Sequence, residues 1–196
     1  MERMIFFSDA VIAIMLTLLA LELPVPHVEH ATELWGAITE HGSEYVAFLI
    51  SFSVIAATWV SHHMLFTHVS RSDPALITLN LLALFGYVMI PWASKTLGEE
   101  LNGAGVVVYA LAMTFLGAMT YLVVRHVIRA GLLDPDAPVL VIRGIKAWAV
   151  GTALMFALSA VLGFFVTPWI VIVAWPVGYL LLRLAGEIHL RRGAVS

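Results

Sequence analysis

The sequence predicts an all-α, polytopic membrane protein with six transmembrane helices in one domain over residues 1–196. Hydrophobic residues make up 61% of the chain and charged residues only 12%, whereas soluble domains carry about 45–50% apolar and about 25% charged residues. Six apolar stretches are each close to the ~20 residues that cross a bilayer as a helix. They lie at about residues 4–23, 45–68, 74–94, 106–126, 145–166 and 168–184.

Turn and helix-start signals separate these six stretches. Prolines within residues 24–26 end the first stretch, and a polar, glutamate-rich loop leads to the second. Ser72-Asp73-Pro74 predicts a helix start, because Asp73 can cap the helix and proline fits its first position. Residues 95–105 form a turn rich in Gly and Glu, residues 134–138 form a loop, and Thr167-Pro168 starts the sixth helix.

Basic residues lie almost entirely on one side of the predicted layout. The side that holds both termini carries nine of the ten Lys and Arg residues, and the opposite side carries only Lys95. Cytoplasmic loops of membrane proteins carry such an excess, so we expect both termini in the cytoplasm and the helices among the lipids of the inner (plasma) membrane. The nine residues are Arg3, Arg71, Arg125, Arg129, Arg143, Lys146, Arg183, Arg191 and Arg192.

The composition also excludes several classes of site. The chain has no cysteine, which excludes disulfides and thiolate metal sites. No basic patch interleaved with aromatic residues suggests a nucleic-acid partner. We therefore expect no bound cofactor and no nucleic-acid partner.

A carboxylate near the start of the first helix demands a partner, because a charge at membrane depth costs several kcal/mol. Polar side chains on the first three helices lie at a similar depth, about 9–14 Å along each helix from its cytoplasmic marker. We expect them to form one hydrogen-bonded cluster. The expected members are Ser8, Asp9, His62 or His63, and Asn80, with Arg3 as a candidate charge partner. Alternatively, Asp9 only caps a helix that begins at Ser8.

The histidines on the second helix admit another interpretation. The run from Trp59 to His68 contains three histidines and resembles a metal or haem site. His62 and His63 are consecutive, however, and consecutive side chains on a helix point about 100° apart. They are poorly placed to bind one ion together. A structural histidine bonded to Asp9 or Asn80 is the favoured interpretation, and no metal site is expected.

One face of the first helix is a candidate pore lining. Ile14, Thr17, Leu18 and Leu21 follow the spacing i, i+3, i+4, i+7 and share one face. Around a symmetry axis, apolar rings can gate by dewetting, and hydroxyls can replace part of an ion's hydration shell. Because nearly every residue of this helix is apolar, the spacing by itself favours ordinary lipid or helix contact.

The first helix also carries a recognisable motif. The string Arg3-x-x-x-Phe7-Ser8-Asp9 resembles the signature of the transmembrane-protein-175 family of lysosomal and prokaryotic potassium channels. The six-helix layout resembles a single repeat of that family, as do the run with Trp59, His63 and Phe66 and the segment from Asn80 to Pro91. The resemblance implies a homotetramer in which the first helix of each subunit lines the pore.

The resemblance also assigns functions to individual residues. It implies that Ile14 forms the narrow constriction and that Thr17 contributes to potassium preference. Leu18 and Leu21 match further pore-lining positions. The resemblance implies that Arg3, Ser8 and Asp9 anchor the first helix and do not contact ions. The chain has no Thr-Val-Gly-Tyr-Gly filter sequence, so the expectation is a potassium-permeable cation channel with an apolar constriction, and not an enzyme.

Three alternative functions stay open at this point. A proton-coupled secondary transporter could use Asp9 and the helix-two histidines, since intramembrane ionisable groups often relay protons. Against it, the chain has no inverted repeat and no matching pair of broken helices. A membrane enzyme or haem protein would use His62, His63 and His68. A helical scaffold would transport nothing.

Overall fold

The computed structural model of the chain describes residues 1–99 and 101–193, with side chains described as far as Leu181. Within these residues all regular elements are helical, and an isolated bridge pairs Val69 with Leu133. A short 3-10 turn precedes the second helix. The α-helices are α1 (Glu2–Leu21), α2 (Leu34–Glu40), α3 (Gly42–Phe66), α4 (Pro74–Glu99), α5 (Gly103–Arg129), α6 (Val139–Leu162) and α7 (Pro168–Gly193).

The all-α prediction is confirmed, and α1 and α3 to α7 each contain most of one predicted stretch. The starts of α4 at Pro74 and of α7 at Pro168 are those predicted. Helix α6 differs most, because it begins at Val139, six residues before the predicted start. Arg143 lies inside this extra segment. Its charge made the predicted apolar stretch begin too late, although the helix itself continues through this residue. The predicted polar loop before α3 contains α2.

Five helices among the described residues are long and apolar enough to cross a membrane: α1, α3, α4, α5 and α6. Helix α7 carries a shorter apolar run over Pro168–Leu181. The protein is therefore an integral membrane protein. Of the basic residues used to predict the topology, Arg183, Arg191 and Arg192 lie outside the described side chains.

The bundle is built from consecutive helix pairs. Helix α4 packs on α3 and α5, α5 packs on α6, and α1 lies across both α3 and α4. Tyr109, Phe156 and Trp175 form an aromatic core where α5, α6 and α7 meet, and each is at most 1% exposed. Because lipid is as apolar as this core, close packing and polar contacts hold such helices together.

Helices α5 and α6 approach each other closely at Gly117. A Cβ atom at this position would lie 3.0 Å from the backbone nitrogen of Ala153 and 3.1 Å from its Cα. Small residues at such contacts let two backbones come together. By contrast, a Cβ at Gly144 of α6 would meet nothing within 4 Å.

The start of α4 is tied to the end of α5 through Asp73. Asp73 Oδ1 accepts a hydrogen bond from the backbone N–H of Leu76 at 2.7 Å, which caps the helix. Nε2 of His126 lies 2.9 Å from Asp73 Oδ2. The backbone hydrogen bond from Leu76, followed by the contact with His126, lowers the pKa of the Asp73 carboxyl.

The close contact at Gly117 generates a stability prediction. Gly117→Val should destabilise the bundle by about 1–3 kcal/mol, because the new side chain overpacks against the α6 backbone. Gly144→Val makes the same chemical change in open space and serves as the control. Thermal unfolding in detergent measures both variants. Equal melting temperatures for the two would contradict the packing at this contact.

The lowered pKa of Asp73 generates a prediction for pH dependence. The ionised carboxylate is favoured in the folded state, so its contribution is present above the unfolded pKa of about 4 and is lost as pH falls through the lower folded value. Melting temperatures of the wild type should therefore decline more steeply below about pH 4 than those of Asp73→Asn. Parallel curves for the two proteins would remove Asp73 from this account.

Candidate functional site on the first helix

Helix α1 has one face that packs inside the bundle. Its buried residues are Ser8, Ile12, Met15 and Leu19. At about 100° per residue these four side chains fall within an arc of about 60°. They face α3 and α4, so the orientation of α1 about its own axis is set by this narrow strip.

A hydrogen-bond chain fixes the polar end of this strip. The side-chain amide of Asn80 on α4 donates from Nδ2 to Ser8 Oγ at 2.8 Å. Its Oδ1 lies 2.9 Å from Nε2 of His62 on α3. Ser8 in turn donates to the carbonyl oxygen of Met4 at 2.8 Å. Ser8, Asn80 and His62 are 0%, 1% and 6% exposed, so these hydrogen bonds join three helices inside the bundle.

The pattern of donors also assigns the tautomer of His62. Because Nδ2 of Asn80 donates to Ser8, Oδ1 faces the imidazole and can only accept. His62 therefore carries its hydrogen on Nε2. Its Nδ1 is then an acceptor, and this buried atom has no hydrogen-bond partner among the described residues.

Asp9 lies beside these hydrogen bonds, and its partner is not the expected histidine. Its Oδ1 accepts a hydrogen bond from the indole Nε1–H of Trp59 on α3 at 2.9 Å. The ring of Trp59 lies 5.6 Å from that of His63, measured between centroids. His63 is itself exposed, and His62 on the neighbouring face bonds Asn80. The polar cluster thus forms with His62, while Asp9 and Trp59 make a second connection between α1 and α3.

Two motif residues lie outside the cluster. Arg3 and Phe7 have exposed side chains, and no ion pair joins Arg3 to Asp9 within the described part of the chain. Arg3 was the candidate charge partner, but six residues on a helix rotate the side chain to about 120° away from Asp9. Phe7 instead shares a face with Ile14.

The face with the candidate pore residues is left uncovered by the rest of the chain. Ile14, Leu18 and Leu21 are 53%, 37% and 77% exposed, and Thr17 is exposed with them. The centre of this face lies about 140° around the helix from the buried strip. The Thr17 hydroxyl donates to the carbonyl oxygen of Ile14 at 2.7 Å, which leaves the hydroxyl oxygen able to accept.

The far end of α1 is held by contacts that sequence analysis missed. Glu22 Oε2 and Lys95 Nζ form an ion pair of 2.9 Å, and Tyr45 Oη donates to the carbonyl oxygen of Pro24 at 3.0 Å. The isolated position of Lys95, as the one basic residue predicted for its side, was a signal for such a pair. Its partner lies 73 residues away, so no local pattern could indicate it.

A second buried hydroxyl cluster links α3, α4 and α5. Ser51 Oγ lies 2.8 Å from Ser94 Oγ and 3.2 Å from Tyr109 Oη. Single hydroxyl residues in apolar helices gave no signal in the sequence. No three His, Cys, Asp or Glu side chains converge on a possible metal site within the described residues.

Comparison with known proteins gives the family. The family model "Endosomal/lysosomal potassium channel TMEM175" matches residues 3–91, which include nearly all of α1, all of α3 and most of α4. The chain is 36% identical over 178 residues to a potassium channel of Streptomyces collinus, covering 87% of this chain and 82% of the relative. The chain belongs to the TMEM175 family. This is a family of channels, not of enzymes.

Other TMEM175 proteins show how far the likeness extends. The crystal structure of a lysosomal potassium-selective channel TMEM175 homologue from Chamaesiphon minutus superposes with a TM-score of 0.75 at 25% identity, covering 96% of both chains. The endosomal/lysosomal proton channel TMEM175 of Danio rerio is 33% identical over 111 residues. That alignment covers 53% of this chain and 21% of the zebrafish protein.

The central position of Asn80 generates a prediction. Asn80→Leu keeps the side-chain size but leaves Nε2 of His62 without its partner, while Ser8 keeps its hydrogen bond to Met4. Burying an unsatisfied polar group costs about 1–3 kcal/mol, so we expect a loss of this size in the free energy of unfolding. Thermal unfolding in detergent, followed by size-exclusion chromatography, measures it.

Thr78→Val on the same helix is the matched control. Thr78 is exposed, and its hydroxyl bonds only the carbonyl of Pro74 in its own helix. If the melting temperature of Asn80→Leu is no lower than that of Thr78→Val, the hydrogen bonds of Asn80 do not hold α1 in place.

Proposed function

We propose that this protein is a potassium-permeable cation channel in which four copies surround a pore lined by α1. One observation carries the proposal: in a TMEM175 family member, the α1 face with Ile14 is uncovered, while hydrogen bonds hold the opposite face inside the subunit. The relative from Streptomyces collinus is named a potassium channel. A pore-lining helix needs one face held by its own subunit and another face free to line the pore, and α1 has both.

In this proposal Ile14 forms the constriction. Four isoleucine side chains around an axis make a narrow apolar ring, from which water withdraws readily, so the ring resists ion passage. Leu18 and Leu21 lie about 6 Å and 10.5 Å further along the helix and form two further apolar rings. Partial dehydration at an apolar ring takes the place of a carbonyl filter, and the chain contains no Thr-Val-Gly-Tyr-Gly segment.

Thr17 supplies the polar group next to this constriction. Its hydroxyl lies about 4.5 Å beyond Ile14 along the helix. The hydroxyl hydrogen is engaged by the Ile14 carbonyl, so four oxygen atoms with free lone pairs would face the axis. Such a ring favours a cation that has shed part of its hydration shell.

The proposed assembly includes a sixth span and a defined orientation. Helix α7 would cross the membrane with its apolar run over Pro168–Leu181. Six spans place both termini on one side, with nine basic residues against Lys95 on the other. By the positive-inside rule this side is the cytoplasm, and the membrane is the inner membrane of a bacterial cell.

The hydrogen bonding of Asp9 argues against the proton-coupled transporter. An indole N–H is a donor only and does not take up and release protons at ordinary pH. Asp9 bonds this group on Trp59, and the nearby His62 bonds Asn80 instead of Asp9, so the two titratable side chains are engaged by separate partners. The motif aspartate is better explained as a structural acceptor that holds α1 against α3.

The constriction generates a functional prediction. Ile14→Asn should raise potassium flux into liposomes about tenfold, because a polar ring keeps its water and lowers the barrier by ~1.4 kcal/mol. Ile77→Asn is the matched control, since Ile77 is an exposed isoleucine of α4. Flux driven by a potassium gradient is measured for both variants at equal protein density.

Two outcomes would contradict the proposal. Equal flux for the wild type and Ile14→Asn would mean that Ile14 is not the constriction. A rise of the same size in Ile77→Asn would mean that polar substitutions simply make the bundle leak. Saturable counterflow in the wild type would favour a transporter over a channel.

A further inference from the structure

A basic cavity lies between α5 and α6, away from α1. It has a volume of about 400 Å³ and is lined by Tyr121, Arg125, Ile128, Arg129 and Lys146. Three of these five residues are cationic and none is acidic. The cavity lies at the end of the bundle where α5 stops and α6 starts, which is the proposed cytoplasmic side.

Helix geometry brings the positive charges together. Tyr121, Arg125 and Arg129 follow one another at intervals of four residues, so they share a face of α5 with about 6 Å between successive positions. Lys146 reaches the same cavity from α6. Its Nζ lies 5.9 Å from the ring centroid of Tyr121, a cation–π distance that holds the ammonium in place.

No carboxylate of the described residues forms an ion pair with these three cations. The ion pairs found there involve His41, Lys95 and His126, and none includes Arg125, Arg129 or Lys146. Asp73 is engaged by His126 and by the α4 cap. Three like charges that share one cavity repel one another unless an anion lies between them.

The depth of the cavity indicates where that anion comes from. Lys146 lies seven residues after the start of α6, about 10 Å along the helix, and Arg125 lies about 6 Å before the end of α5. Both are half-buried. The Ile128 side chain on the same wall is 41% exposed. The charges therefore sit at headgroup level beside a surface that lipid chains can cover.

We propose that this cavity binds the phosphate of an anionic phospholipid from the surrounding bilayer. The guanidinium groups of Arg125 and Arg129 suit phosphate oxygens, which they can bind in bidentate fashion, and Lys146 adds a point charge. Basic pockets between transmembrane helices on the cytoplasmic side bind such headgroups. The acyl chains would lie along the apolar surface at Ile128. The site is independent of the pore, so it stands whether or not α1 conducts ions.

The test measures phosphatidylglycerol binding to the delipidated full-length protein by native mass spectrometry. Arg125→Gln/Lys146→Gln should bind about 30-fold more weakly, since each basic group near a membrane surface contributes ~1 kcal/mol and 1.4 kcal/mol is a factor of ten. Arg71→Gln/Arg143→Gln is the matched control. It removes two charges at the same end of the bundle, and neither residue lines the cavity.

A milder variant covers the case in which the double variant fails to assemble. Arg129 is exposed, so Arg129→Gln should fold and should weaken binding about fivefold. Unchanged binding in this variant would overturn the site. Equal weakening in the control pair would also overturn it, because phosphatidylglycerol would then respond to net surface charge alone.

Two further probes separate a lipid from a free anion. Phosphatidylcholine vesicles carry the same chains without net charge, and inorganic phosphate carries the charge without chains. The proposal expects neither to replace phosphatidylglycerol. If inorganic phosphate displaces the lipid at equal concentration, the cavity is a free-anion site and the lipid assignment is wrong.

Discussion

The side-chain amide of Asn80 is the contact on which the arrangement of α1 depends. Its nitrogen donates to the Ser8 hydroxyl on α1, and its oxygen accepts from the His62 imidazole on α3. Lipid gives little hydrophobic reason for helices to associate, so a polar bridge that can be satisfied in only one arrangement selects that arrangement. Rotating α1 by one residue would move Ser8 away from Asn80 and leave the buried Nδ2 of Asn80 without its acceptor, while the contact between Asn80 and His62 would remain.

Fixing one face of α1 determines what its other face can do. The buried strip from Ser8 to Leu19 is narrow, and the side chains of Ile14, Thr17 and Leu21 are directed away from it. In the proposed channel, the hydrogen-bonded residues of α1 would position the helix, and the opposite face would line the pore. In that channel, the geometry of the constriction would therefore depend on contacts on the far side of the same helix.

Polar contacts at the two ends of the bundle complete this framework. Glu22 and Lys95 join α1 to α4 at one end. At the other end Asp73 joins α4 to α5 through His126. The cations between α5 and α6 are the exception, because the described chain offers them no counter-charge. In a membrane protein the surrounding lipid can act as that missing partner, since its headgroups are part of the solvent.

The sequence by itself determined the fold class and the six long helices, but not α2 or the start of α6. The lengths of the apolar stretches predicted the long helices. Asp73-Pro74 and Pro168 predicted two helix starts correctly, because the effect of proline on the backbone is local. The depth argument brought Ser8, Asn80 and a histidine together, since residue rise along a helix is known in advance. Only the tertiary structure decided that His62 bonds Asn80, that Asp9 bonds Trp59, and that Arg3 stays outside. These choices depend on how neighbouring helices are rotated about their axes, and in a uniformly apolar helix no periodic pattern records that rotation.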